Sequence, residues 1–410
     1  LENMGAEAIH GIMLEGPPGT GKSSANSARI QMTDGWKFMR DIRPGDSVIG
    51  SDGRGHEVVS VHPQGQRPIF RVTFRDGAKT RVTDDHLWLV FDQNADKTKV
   101  LDTRTISLLG VRKRPSGFRF HIPRIEEPVE YQHREVPIDP YLLGLLLGDG
   151  TFRWHLGFST NDEALVKEIG TRLPVGDSIK HRQEYDYSIL GDPGMTAYAL
   201  RQLGLWGLKS SEKFIPDAYI YNSVEVRLEI LRGLMDTDGT APKNGSPQFN
   251  TSSKRLMQDV CQIVQSLGGL ATNRQKEPAY VYLDEERIGH THWMVTVILP
   301  EFDLFKLERK LTHVHILQTT FARSIVSIEP DGEEEATCIL IDSPDHLYAT
   351  DDFILTHNTL LAQCLATDSK SAFFGCSGTD FQAMFIGVGP MKIMRMYSKA
   401  RAAARQYGSA

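Results

Sequence analysis

Cysteine is scarce. The 410 residues contain four, Cys261, Cys338, Cys364 and Cys376, and none form a CxxC pair, which argues against both a zinc ribbon and a disulfide scaffold. No apolar run, Tyr141–Leu147 included, comes near the ~20 residues that a membrane span needs. The first twenty residues lack the basic, apolar and small-residue order of a secretory signal. Excess positive charge is missing too: 46 Lys and Arg stand against 52 Asp and Glu, a net charge of −6. Whole-chain charge therefore does not advertise nucleic-acid binding, and any basic surface must be local. The expectation is a reduced, cytoplasmic setting without membrane contact. What the chain does have is an ordinary globular composition, 40% hydrophobic and 24% charged, and length for two or three domains at ~150 residues each.

The first informative stretch is Ala8–Ser23. An apolar strand-like run leads into Gly16-Pro17-Pro18-Gly19-Thr20-Gly21-Lys22-Ser23, which satisfies GxxxxGK[ST]. A phosphate-binding loop needs a helix to begin at its Lys-Ser/Thr pair, so that free N–H groups and the helix dipole face the phosphates. Ser24-Ala25-Asn26-Ser27-Ala28-Arg29 is a poor helix start, and Asp34-Gly35 signals a turn soon after. The missing helix reads instead at Thr359-Leu360-Leu361-Ala362-Gln363-Cys364-Leu365-Ala366. Joining Lys22 to Thr359 restores strand, loop, helix and second strand. The restored text resembles the α/β module of AAA+ ATPases, and Met384–Gly389 resembles the aromatic pore loop of their membrane-protease branch. The resemblance covers residues 1–22 and 359–410. It implies ATP and Mg²⁺ held by Gly16, Gly19, Gly21, Lys22 and Thr359 once the loop is whole, in a host expected to be hexameric.

Residues 23–358 are then an insert able to leave, and their ends carry chemistry for that. At the far end His357-Asn358 precedes Thr359. An asparagine amide can attack its own backbone carbonyl and break the chain, the histidine can move protons, and the hydroxyl that follows can hold an acyl group as an ester. At the near end the Ser23 hydroxyl can attack the Lys22 carbonyl. These ends resemble those of inteins. The intein Thr-x-x-His motif matches at Thr83 and His86, a PGD turn at Pro44-Gly45-Asp46, and the penultimate block at Ala336–His346, which contains Cys338 and a second assisting histidine, His346. The resemblance implies Ser23, Thr83, His86, His346, His357, Asn358 and Thr359 as the splicing residues, with no cofactor. Ser23 stands where cysteine is commoner, and a hydroxyl carries far less anion at neutral pH than a thiol of pKa ~8.5. Strand-like segments at Glu57–Val61, Ile69–Phe74, Thr80–Val90, Ser324–Ile328, Ile339–Asp342 and His346–Leu355 predict an all-β domain built from both ends of the insert. Asp-Gly turns at 34–35, 52–53 and 76–77 punctuate it.

A splicing domain is much shorter than this insert, and an internal duplication accounts for the difference. Leu142–Thr151 and Leu231–Thr240 are each helix-like and close on Asp-Gly-Thr, and Gly144/Gly148 and Gly233/Thr237 fall four apart on one helical face. The pair resembles the two-motif LAGLIDADG homing endonucleases. That likeness implies Asp149 and Asp238 holding Mg²⁺ between two touching helices, with Lys213 near the attacking water. It also implies double-stranded DNA at the host-gene insertion site as the partner. Arg112, Lys113, Arg114, Lys180 and Arg182 are candidate phosphate contacts, and Arg153, Lys254 and Arg255 are expected on a β-saddle under the duplex.

The expected architecture is thus multi-domain. A horseshoe-like all-β Hint splicing domain (23–137 and 317–358) carries an α+β endonuclease (138–316) between AAA+ fragments (1–22 and 359–410), and the insert is monomeric. Two rivals stand beside it: an ATPase as the functional unit, and a splicing element whose endonuclease is only a relic.

Overall fold

The computed structural model describes residues 23–113, 117–242, 246–277, 279–282, 285–288, 291–299, 301–311 and 322–357. Both flanks lie outside this set, and with them Gly16, Gly19, Gly21, Lys22, Asn358 and Thr359, as does Arg114.

The chain begins as β1 (Ser24–Ala25), β2 (Arg29–Met32), β3 (Gly35–Phe38), β4 (Ser47–Ile49), β5 (Gly55–Phe74), β6 (Lys79–Thr83), β7 (Leu87–Asp92) and β8 (Lys97–Asp102). Helix α1 (Thr103–Leu109) and β9 (Phe120–Ile122) follow. The Asp-Gly pairs turn the chain between strands. Gly53 and Gly77 sit at φ +73° and +91°, where a side chain would be strained.

Two similar halves come next. The first runs α2 (Pro140–Asp149), β10 (Gly150–Thr151), β11 (Gly157–Ser159), α3 (Glu163–Arg172), β12 (Asp177–Gln183), β13 (Asp186–Gly191), α4 (Met195–Gln202) and the short α5 (Asp217–Ile220). The second runs α6 (Val224–Asp238), β14 (Gly239–Thr240), β15 (Gln248–Thr251), α7 (Lys254–Ser266), β16 (Leu270–Lys276), β17 (Ala279–Tyr282), β18 (Glu285–Ile288), β19 (His292–Ile298) and α8 (Glu308–Leu311). Each half forms a four-stranded sheet of the same order, β10-β11-β13-β12 and β14-β15-β19-β16, and β17–β18 is a separate hairpin between β16 and β19. One apolar core runs through both halves, from Ile138 to Leu307.

The chain then returns as β20 (Arg323–Ile341), β21 (Leu347–Thr350) and β22 (Ile354–His357). These strands complete a twelve-stranded sheet with the first nine. Its spine is the antiparallel pair β5–β20, which joins the two ends of the insert.

The strand expectations need four corrections. Glu57–Val61 and Ile69–Phe74 are one strand, as are Ser324–Ile328 and Ile339–Asp342. Pro63, Pro68 and Pro330 lie within these long strands, where register shifts at Pro330/Glu333 and Ala336/Thr337 accommodate them, as bulges do. Thr80–Val90 is two strands parted by a turn at 84–86, and His346–Leu355 is divided by a tight turn at Asp351–Phe353 in which Asp352 and Phe353 take positive φ. Among the described residues no helix is long and apolar enough to cross a membrane.

Candidate functional site

Helices α2 and α6 pack at the centre of the two halves. Helix α2 starts cleanly: Asp139 accepts from Leu142 N at 2.9 Å, and Pro140 occupies the first turn, where a missing N–H costs nothing. Small residues let the two backbones touch. A methyl group on Gly144 would fall 2.4 Å from the Ile230 carbonyl oxygen, and one on Gly233 would fall 2.3 Å from that of Tyr141. Gly148 meets the Thr237 side chain in the same way. The four-residue spacing read from the sequence is the contact itself.

Each helix ends on an aspartate, and a lysine closes each end. Lys213 Nζ donates to the carbonyls of Leu147 and Gly150, both at 2.8 Å, and reaches Gly148 at 3.1 Å. Lys310 Nζ repeats this on α6, donating to Asp236 O and Gly239 O at 2.7 Å and to Met235 O at 2.9 Å. The final carbonyls of a helix lack intrahelical partners, so an ammonium there satisfies them and opposes the negative end of the dipole. Lys310 escaped the sequence reading. Its signal was the duplication, in which Arg309-Lys310-Leu311 echoes Glu212-Lys213-Phe214.

The electrostatics of this centre are those of charge held out of water. Burial raises the Asp149 carboxyl above its ordinary range, against the pull of Lys213 and Lys310. Burial, and then the charge of Asp149, push Asp238 up to about 6. Burial lowers Lys213 and Lys310 to about 8 each, against the attraction of the same aspartates. A cavity of about 350 Å³ opens here, lined among others by Lys213, Asp238, Asn250, Ser252 and His292. Asp236 is the largest of the charges that pull on Lys310. It accepts from Tyr141 Oη at 2.7 Å and Lys306 N at 2.9 Å, which is a structural role. Among the described residues no group of three or more His, Cys, Asp or Glu surrounds a metal position. Two mutually repelling carboxylates suit a hard divalent cation that keeps water and phosphate oxygens as its other ligands.

The basic candidates scatter. Lys180 and Arg182 lie exposed on β12, with Arg182 Nε donating to Ser188 Oγ at 2.8 Å. Arg153 lies in the β10–β11 turn, 5.0 Å from the ring of Trp154, itself 80% exposed. Lys254 and Arg255 are not on a strand. They form the first turn of α7, stacked over Trp293 and Phe214, because Ser253 accepts from Leu256 N and starts a helix there. Arg274 and Lys276, which the sequence reading passed over, are exposed on β16, the counterpart of β12. Arg112 stacks on Phe118, at an isolated bridge in the twelve-stranded module, beside Lys113.

The second centre lies in that twelve-stranded module. Ser23, Thr83 and His86 are all buried. The Ser23 carbonyl oxygen accepts from Thr83 N and faces Thr83 Oγ1 and His86 Nδ1, each at 3.1 Å. His86 packs edge-on against Trp88, whose indole donates to Thr103 Oγ1 at 3.0 Å. Thr103 Oγ1 in turn donates to His86 O. The two ends of the insert meet where β1 pairs with β20, Ser24 opposite Thr337, and Tyr348 is buried in the same module. Burial pushes its phenol up to about 12, against the pull of the neighbouring Thr356 and Ser24 hydroxyls. His346 and His357 lie side by side, ring centroids 6.3 Å apart. His346 adopts φ +58°, after a turn in which Asp345 accepts from Ser51, Ser343 and Leu347 N. Cys338 is buried opposite His62.

Residues 225–299, which run from α6 through β19, match the family model described as a LAGLIDADG-like domain. Over 376 residues the chain is 27% identical to the replicative DNA helicase DnaB of Mycobacterium intracellulare, covering 85% of this chain and 61% of that protein. Over 49 residues it is 45% identical to the mitochondrial ATP-dependent zinc metalloprotease FTSH 3 of Arabidopsis thaliana, covering 12% and 6%. The chain thus spans about three fifths of the first relative's length and a small part of the second's. Among solved structures, the crystal structure of the MchDnaB-1 intein (N145AA) aligns with 82% of this chain and 99% of its own length, at 10% identity and a TM-score of 0.26.

Proposed function

We propose that residues 23–358 excise themselves and join Lys22 to Thr359, and that the two-helix module cuts double-stranded DNA at the gene site lacking the insert. The observation carrying the splicing reading is the meeting of both ends of the insert around buried polar groups, with Ser23 against Thr83 and His86 and Ser24 paired with Thr337 of β20. In the first step Ser23 Oγ bonds to the Lys22 acyl carbon as the C–N bond breaks. The hydroxyl proton is lost and the freed nitrogen gains one, and a buried histidine beside the peptide suits that transfer. Thr359 then takes the acyl group from Ser23. Asn358 cyclises and releases the insert, with His357 and His346 moving protons, and an ester-to-amide shift leaves an ordinary peptide. No cofactor enters.

For the nuclease, Asp149 and Asp238 are the groups to hold Mg²⁺, which when bound supplies charge neutralisation and water activation at a phosphodiester. Lys213 and Lys310 keep both helix ends closed and hold positive charge beside that point. Exposed Lys180, Arg182, Arg274 and Lys276 on the paired sheets, with Arg153, Lys254, Arg255, Arg112, Lys113 and Arg114, are proposed phosphate contacts.

The restored host is proposed as an AAA+ ATPase binding ATP and Mg²⁺ through Gly16, Gly19, Gly21, Lys22 and Thr359, hexameric and cytoplasmic, around a monomeric insert. The metalloprotease likeness supports this, being about as long as the 359–410 flank. A helicase host is the second reading, favoured by the longer DnaB similarity. That similarity covers far more of the chain than both flanks contain, so it falls mostly on the insert. Intact mass after expression tests the splicing: two products are expected, residues 23–358 and residues 1–22 joined to 359–410. A single full-length species that persists when Ser23→Cys is introduced would reject it.

A further inference from the structure

Arg227 is fully buried, and the groups it bonds are neutral. Nε donates to Asn222 O at 2.9 Å, Nη1 to Ser266 O at 3.0 Å and Ser266 Oγ at 2.5 Å, and Nη2 to Val129 O. The guanidinium also stacks 4.8 Å over the Tyr131 ring. A buried cation is costly, and a rigid fork of donors is satisfied by carbonyls in one arrangement only. Here that arrangement joins the α5–α6 turn, the end of α7 and the 123–137 connection. Val129 N adds a bond to Ser266 O at 2.8 Å, and Asn222 exchanges bonds with the Arg134 backbone.

The other side of the connection belongs to the twelve-stranded module. Glu126 N donates to Ser51 O and Glu130 N to Gly53 O. Ile125, Val129 and Tyr131 share one apolar cluster with Leu347, Phe353 and Leu355, and Tyr221 from the two-helix module packs against it. Helix α7 lies against the Asp351–Phe353 turn, where Phe353 takes φ +55°, a strained value for an aromatic residue that packing must hold. All of this converges on β21 and β22. Leu347 is the cross-strand partner of His357, His346 precedes it, and Asn358 is the next residue in the chain.

We infer that the two-helix module is a positioning element for Asn358 cyclisation: through Arg227 and Tyr221 it seats the 123–137 connection against β21 and β22, and so fixes His346 and His357. In that step the Asn358 amide nitrogen bonds to its own backbone carbonyl carbon and the bond to Thr359 N breaks. The proton that the amide loses balances the one that the Thr359 amine gains. Ser23 is held differently, by β1 against β6 and β20 and by Thr83 and His86. The support is one-sided, so the two ends of the insert should respond differently to its loss.

This inference rests on the splicing reading, and the test separates the two. In the full chain carrying Ser23→Ala, only Asn358 cyclisation remains, and release of residues 359–410 is followed by intact mass. In the full chain carrying Asn358→Ala and Thr359→Ala, only the first acyl shift remains, and hydroxylamine releases residues 1–22. Arg227→Met keeps the apolar stem and deletes the fork. It should slow release of residues 359–410 about tenfold, inside the ~10²-fold that an ångström of misplacement can cost, and leave release of residues 1–22 unchanged. Tyr221→Ala should do the same and Tyr221→Phe should recover the rate; this pair decides the question if Arg227→Met does not fold. Equal slowing at both ends would make these residues general scaffolding and overturn the inference, as would unchanged release of residues 359–410. A Ser23→Ala chain that never released residues 359–410 would overturn it too, and silence at both ends would overturn the splicing reading as well.

Discussion

The two centres are built on opposite principles. Around Ser23 the neighbouring groups are buried and hydrogen-bonded and sit on a sheet whose strands come from both ends of the insert. Asp85, which accepts from Thr83 Oγ1, is paired with Arg67. Around Asp149 and Asp238 like charges are forced together at two helix ends and held from water, with Lys213 and Lys310 occupied by backbone carbonyls. Lys22, Asn358 and Thr359, which the first centre would need, lie outside the described residues. The second holds two carboxylates whose repulsion a bound cation would relieve. The difference teaches that the two proposed activities should fail independently, although the 123–137 connection touches both modules: Val129 packs with Leu347 and Leu355, and its carbonyl accepts from Arg227 on α6.

The sharpest way to break that comparison is to remove one carboxylate. Asp149→Ala or Asp238→Ala should abolish Mg²⁺-dependent plasmid cleavage while the spliced masses appear unchanged; loss of splicing in either variant would show that the centres are not separable. The converse change is next in size. His86→Ala should lower the rate of appearance of the excised insert by about 10²–10⁴, the range for a positioned proton-transfer group, and leave DNA cleavage intact. Third is the helix contact. Gly233→Leu drives a side chain into the Tyr141 carbonyl and the Gly144 backbone, costing about 3 kcal/mol, and chemical denaturation should show the loss.

How much of this was legible depended on whether the signal was local. Thr83 and His86 lie within one turn, and Asp149 and Asp238 each end an apolar helix with a fixed glycine spacing, so short stretches of text sufficed. The Gly144–Gly233 contact was readable for the same reason, since small residues four apart on one face have few other uses. Lys310 was not, because its partner carbonyls belong to a helix far upstream and only the register of the duplication links them. Lys254 and Arg255 misled because a basic pair after Thr251-Ser252-Ser253 reads equally as a strand end or a helix cap. The long β5–β20 pairing was hidden by prolines that a bulged ladder tolerates and a regular one does not.

The smallest effect sharpens the comparison most, because it reads the repelled charge directly. The Asp238 carboxyl is held at about 6 in the folded protein against 3.8 for an ordinary one. The folded state therefore binds this proton more tightly than the unfolded state does, and stability falls as pH rises from about 4 to about 6. Above that window the native protein carries the whole penalty of a buried, repelled carboxylate. Asp238→Asn removes it, so the variant should be more stable than its parent by about 1–2 kcal/mol at pH 7.5. The gain should shrink as pH falls below 6 and vanish near pH 4. Adding Mg²⁺ at pH 7.5 should close the gap from the other side, since only the parent keeps both carboxylates to bind it. Thermal unfolding of both proteins at pH 4 and 7.5, with and without Mg²⁺, checks all three statements, and a gain that ignored both pH and Mg²⁺ would mean that Asp238 is not under the strain its burial implies.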